Sequence, residues 1–138
     1  MSNTAIFWPL IVQTVLIYII YAMVSGRRLS AVRAGKAKAS DFKVPFVEPE
    51  PTATVARNLV NQFELPSLFY AICIILYLVN GVNDATLVLA WLFVLSRIAH
   101  SFIHVTTNNV RHRRPIFIFG YLVNAILWLW LAWVLLRV

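Results

Sequence analysis

An all-α bundle of four membrane-crossing helices is the fold this sequence predicts, and three observations predict it. The 138 residues are 61% hydrophobic with a mean hydropathy of +0.78, whereas a soluble domain is about half apolar. Four apolar runs, at 6–24, 55–79, 85–106 and 115–136, match the roughly 20 residues that cross a bilayer. Little chain is left over, so residues 1–138 read as one integral membrane domain.

The first run, "IFWPLIVQTVLIYIIYAMV", has no Lys or Arg before Arg27. It is also too long for the apolar core of a cleaved leader, so it is expected to remain as a helix. Trp8 and Tyr21 lie toward its two ends, where aromatic rings suit the interface. Gln13, polar in its interior, is expected to meet another helix. Residues 25–53 then form a loop that starts basic and ends acidic and proline-rich, suited to a place near anionic lipid. Pro49 and Pro51 set the turn into the second helix.

The second run opens with the polar "RNLVNQFELP" and continues as "SLFYAICIILYLV". Pro66 cannot donate a backbone hydrogen bond and is expected to bend this helix near Gln62. Asn80-Gly81 suits a tight turn, and the short link that follows makes the second and third helices antiparallel. The fourth run places Trp128, Trp130 and Trp133 toward its far end as an interfacial anchor. Cys73 has no partner for an intrachain disulfide, and its apolar neighbours give it a packing role.

The net charge of +7 is explained by topology. Arg27, Arg28, Arg33, Lys36, Lys38 and Lys43 fall in the first loop, and Arg111, Arg113 and Arg114 in the third, whereas the second has no basic residue. The first and third loops share a side in a four-helix hairpin. The positive-inside rule places both in the cytoplasm and both termini outside. No nucleic-acid partner is needed.

Polar residues inside the runs carry the functional signal. At 100° per residue, Arg57, Asn61 and Glu64 fall within about 60° of arc on the second helix, and Arg97, His100 and His104 within about 60° on the third. Exposed to lipid, Arg57, Glu64 and Arg97 would cost about 8–10 kcal/mol together. They are therefore expected to face protein or water, with Glu64 pairing with Arg97 across the hairpin. The arginines outnumber the carboxylate, and a cationic surplus calls for an anionic ligand. His100 and His104 project from one side, with no cysteine and no second carboxylate near enough to complete a metal site, so no metal is expected.

"R-x-x-x-N-x-x-E" at Arg57, Asn61 and Glu64, with a proline and a phenylalanine following, resembles the second helix of the MAPEG family, the membrane-associated proteins in eicosanoid and glutathione metabolism. "RIAH" at Arg97–His100 is similar to their third helix, and Arg113 stands seven residues before Gly120 as in microsomal glutathione transferases. The resemblance covers residues 5–138. It implies a homotrimer binding glutathione as co-substrate between subunits, and a transferase or peroxidase acting on lipophilic electrophiles dissolved in the bilayer. By the same resemblance Arg57 and Arg97 serve the anionic groups, Asn61 hydrogen-bonds the tripeptide, and Glu64 receives its ammonium or orients an arginine. His100 lines the pocket, and His104 stands beside glutathione where the family often has tyrosine. Arg113 faces the sulfur. A free thiol has a pKa near 8.5, and bringing it to about 6.5 takes about 2.7 kcal/mol, within reach of one or two desolvated arginines. The family also contains a lipid-binding member without catalysis, so a scaffold is the alternative. A proton-coupled exporter built on Glu64 is disfavoured, because neighbouring arginines would hold that carboxylate ionised.

Overall fold

The computed structural model describes residues 3–44 and 47–137. Pro45 and Phe46 of the expected loop, and positions 1–2 and 138 of the expected domain, lie outside them. After a 3₁₀ turn at Asn3–Ile6 come α1 (Phe7–Arg33), α2 (Glu50–Asn61), α3 (Leu65–Leu78), α4 (Asp84–Val105) and α5 (Val110–Leu135). α2 and α3 form one span, Glu50–Leu78, so four helical stretches are long and apolar enough to cross a membrane. This is an all-α integral membrane protein, a four-helix bundle. α1 packs on α2 and α4, α2 also packs on α4, and α5 packs on α3 and α4.

The helix ends depart from expectation in three places, each with a local cause. α1 continues through 25–33, because no proline falls there and Gly26 keeps a right-handed helical backbone. The stop is Gly35, at φ +69°. Its N–H returns to Val32 O at 3.0 Å, and that of Lys36 to Ala31 O at 2.9 Å, a left-handed cap that glycine accepts without strain. The basic loop shrinks accordingly to 34–49. α2 starts at Glu50, five residues ahead of the expected 55, because Pro49 caps it and Pro51 pre-sets its first turn. α5 starts at Val110, capped by Asn109, whose side chain accepts from Arg111 N at 3.0 Å. Arg111, Arg113 and Arg114 are thus helical residues and not loop residues.

The second span corrects the expectation of one helix over 55–79. Pro66 has no N–H for the Gln62 carbonyl, and its ring crowds that carbonyl. The chain tightens instead, with Gln62 N on Leu59 O (3.0 Å) and Phe63 N on Val60 O (2.9 Å), and the helix restarts at Leu65. The proline thus breaks the helix where a bend is expected from sequence. Glu64, at ψ −95°, lies outside both helices, so it no longer shares a helical stripe with Arg57 and Asn61.

The interior divides into two unlike halves. At the end holding the α3–α4 turn, Leu10, Phe69, Ile72, Cys73, Leu76, Phe93, Val94 and Leu127 fill a dry core, with the Phe69 and Phe93 rings stacked at 4.2 Å. Trp130 seals that end by donating to Gly81 O at 3.1 Å. Toward the basic end the apolar core narrows to Ile20, Val24 and Val55, and the rest of the interior is polar.

Candidate functional site

The polar half is built from side chains that close the broken helix. In hydrocarbon every freed backbone group needs a partner. Arg97, on α4, meets this need by donating Nη2 to Asn61 O at 3.0 Å, at the negative end of α2. Gln62 lies beside it, fully buried. It accepts from Gln13 Nε2 (3.0 Å) and donates to Ser101 Oγ (2.9 Å) and Asn58 Oδ1 (3.3 Å); Ser101 in turn donates to Asn58 Oδ1 at 3.2 Å. Gln13, Asn58, Gln62 and Ser101 thereby join α1, α2, the break and α4 in one network.

Against this network lies a cleft of about 230 Å³ lined by Asn61, His100, Val110, Arg113, Arg114 and Phe117. Arg97 forms its support from below. The guanidinium holds Asn61 by the hydrogen bond above and sits 5.6 Å from the centre of the Phe117 ring, while His100 is 5.7 Å from the same ring. Arg113 is aimed from the side: its Nη1 donates to Asn108 Oδ1 at 2.6 Å, at the end of the α4–α5 connection. The lining brings two guanidinium groups, an amide and an imidazole to one place, with no carboxylate among them.

The model of the MAPEG family matches residues 5–133. The chain belongs to the MAPEG family. No curated protein and no solved structure matches it significantly.

Of the seven side chains singled out in this MAPEG chain, Asn61, His100 and Arg113 line the cleft. Arg97 and His104 are buried behind it, each only 1–2% exposed, and the His104 ring is 5.8 Å from that of His100. Arg57 and Glu64 do not line the cleft, and both are exposed. The expected Glu64–Arg97 pair is not formed. The ion pair among the described residues is Arg28–Glu48, and Arg97 takes a backbone carbonyl in place of the acid. The break at Gln62–Glu64 explains the difference, since it turns Glu64 out of the register that a continuous helix would have given. Arg57 lines a second, larger hollow of about 690 Å³ between α1 and α2, with Tyr21, Val24, Arg28, Val60 and Phe63. Among the described residues no three His, Cys, Asp or Glu side chains gather as a metal site needs.

Asn58, Gln62 and Ser101 escape a reading that follows charge alone. Their signal was present, because Asn58 and Gln62 are four apart and one step round the helix from Arg57 and Asn61. The interior role expected for Gln13 is met by its bond to Gln62.

Proposed function

We propose that this MAPEG protein is a glutathione-dependent membrane transferase or peroxidase acting on lipophilic electrophiles. The observation that carries the reading is the carboxylate-free cleft in which Arg113 and Arg114 meet Asn61 and His100. Glutathione offers two carboxylates, one ammonium and a thiol, and such a cleft favours its anionic groups. Arg113, held by Asn108, takes the thiolate; Asn61 and His100 hydrogen-bond the tripeptide; His104 backs His100. Arg97 acts on the ligand through Asn61 and Phe117, which it seats.

At about 230 Å³ the cleft falls below the roughly 300–1,000 Å³ of small-molecule pockets. Exposed Arg57 and Glu64 would also be costly against lipid. Both features support a homotrimer in which a neighbouring copy covers these two residues and completes the site, with Arg57 on a carboxylate and Glu64 on the ammonium. In the transferase reaction the thiol proton passes to water and sulfur forms a bond to the electrophilic carbon. The displaced group leaves with its electron pair. In the peroxidase reaction two glutathiones reduce a hydroperoxide to an alcohol and water, and depart as the disulfide. The charge bias supports placing the basic end in the cytoplasm and the termini outside. The bacterial inner membrane rests on the likeness of the basic-rich loop and compact length to the family's bacterial branch.

The larger hollow between α1 and α2 favours a second reading, a lipid-binding scaffold without catalysis. Ultraviolet thiolate absorbance of the detergent-purified protein with glutathione separates the two. A saturable signal, absent in Arg113→Ala, supports the enzyme. No signal and no thermal protection by glutathione support the scaffold.

A further inference from the structure

From Trp8 to Arg27 α1 climbs 19 residues (27 − 8), about 28 Å, against a hydrocarbon thickness of roughly 30 Å. Trp8, 63% exposed, marks one interface. Arg27 and Arg28 therefore lie at the headgroup level of the other. Arg28 also draws the α1–α2 loop down to that level. It ion-pairs with Glu48 and sits 5.1 Å from the centre of the Phe42 ring, and Glu48 further accepts from Thr52 Oγ1 at 2.7 Å. The return leg of the loop is thus held beside the bilayer edge at both Phe42 and Glu48.

That leg is not built for water. Val44 and Val47 are 60% and 63% exposed, and Leu29, on the adjoining turn of α1, is 50% exposed. Lys43, next to Val44 in the chain, and Arg27, on the same turn of α1 as Leu29, are exposed and without an ion pair among the described residues. Of the nearby acids, Glu48 is taken by Arg28, and Asp41 accepts from the backbone N–H of Lys38 at 2.8 Å. Glu50 opens α2 on the far side of Glu48. Over residues 26–50, six basic side chains face three acidic ones. Exposed aliphatic groups beside unpaired cations suit the boundary between phosphate and acyl chain, where each finds its own medium.

We propose that Lys43, Val44 and Val47 of the α1–α2 loop, with Arg27 and Leu29 of α1, form an interfacial anchor. Val44, Val47 and Leu29 insert at the boundary between headgroups and acyl chains, and Arg27 and Lys43 bind the phosphates of anionic phospholipids. The anchor is independent of the reaction at the cleft.

The test uses the full chain reconstituted into vesicles of phosphatidylcholine, with and without phosphatidylglycerol. An environment-sensitive fluorophore is placed on Val47→Cys; native Cys73 is fully buried and does not compete for it. The expected result is blue-shifted emission, quenched by a quencher carried on lipid chains, and more strongly quenched when phosphatidylglycerol is present. The added quenching disappears in 1 M salt and in Arg27→Gln/Lys43→Gln, whose melting temperature in detergent is unchanged. Water-like emission in both vesicle types overturns the anchor and turns the same face toward a soluble partner. Quenching that is equal with and without phosphatidylglycerol overturns the anionic preference.

Discussion

Arg97 brings a cation to a place where hydrocarbon would reject it, and uses one N–H to cap a helix within the membrane span. Its Nε and Nη1 make no hydrogen bond to protein. The guanidinium lies at the negative end of α2 and 5.6 Å from the centre of the Phe117 ring, and Glu64, although not in contact, adds a favourable charge at longer range. Two substitutions separate cap from charge. Arg97→Met leaves the Asn61 carbonyl unmet, a cost of about 1–3 kcal/mol, but removes a charge that is costly to bury. Arg97→Lys keeps the charge and loses the planar fork and the ring contact, so it is expected to melt at a lower temperature than Arg97→Met. Arg113 depends on Asn108 for its aim. Asn108→Gly, which suits the φ of 48° there and removes only the amide, is expected to lower the thiolate formed with glutathione by about 1 kcal/mol, roughly fivefold, without abolishing it. At this scale the sequence disclosed which residues were out of place in a membrane, because charge in an apolar run is conspicuous. It did not disclose that Arg97 would choose a carbonyl over Glu64, because that choice follows from the break.

Turns and breaks carry the next level. The Asn80-Gly81 turn was legible in sequence, and it closes α3 with Asn80 at φ 53°, Asn80 N on Tyr77 O (3.2 Å) and Gly81 N on Leu76 O (2.8 Å). Asn80→Ala is expected to destabilise by about 1 kcal/mol. Alanine keeps the β-carbon in the left-handed region but loses the short polar side chain that eases asparagine into it and that accepts from Asn3 Nδ2 at 3.2 Å. Asn80→Gly is expected to cost less, because glycine adopts that backbone without strain. α4 and α5 touch where Gly120 faces Ser96: a β-carbon on Gly120 would lie 2.5 Å from Ser96 Oγ, which is itself donating to Phe93 O. Gly120→Ala should cost about 1–3 kcal/mol, and Ser96→Ala in the same chain should recover most of it, read as a double-mutant cycle of melting temperatures. Neither the far end of α1 nor this contact could be read from periodicity. Gly26 and Gly35 look alike in the sequence, and only the second adopts a left-handed backbone.

The whole molecule pairs an apolar half, made from ordinary aliphatic and aromatic packing, with a polar half made from amides, imidazoles and guanidinium groups. Four spans and their antiparallel order were plain from hydropathy, because lipid leaves a chain few alternatives. The division of the interior was less plain, since Asn58, Gln62 and Ser101 are uncharged and stand out only once three helices bring them together. Exposed Arg57 and Glu64 predict assembly: native mass measurement in detergent should return three copies of the chain, and a stable monomer would remove the support they give to a shared site. The interrupted second span also bears on how the chain is made. The Asn61 carbonyl is satisfied by a residue 36 positions later, and the Gln62 amide finds Ser101 39 positions later. At 5–20 residues per second of synthesis the first of these partners lags by roughly 2–7 s. Until then the nascent second span carries unmet polar groups that lipid cannot satisfy. It is expected to wait in the insertion machinery and to leave it as a hairpin with α4, once Arg97 has been made.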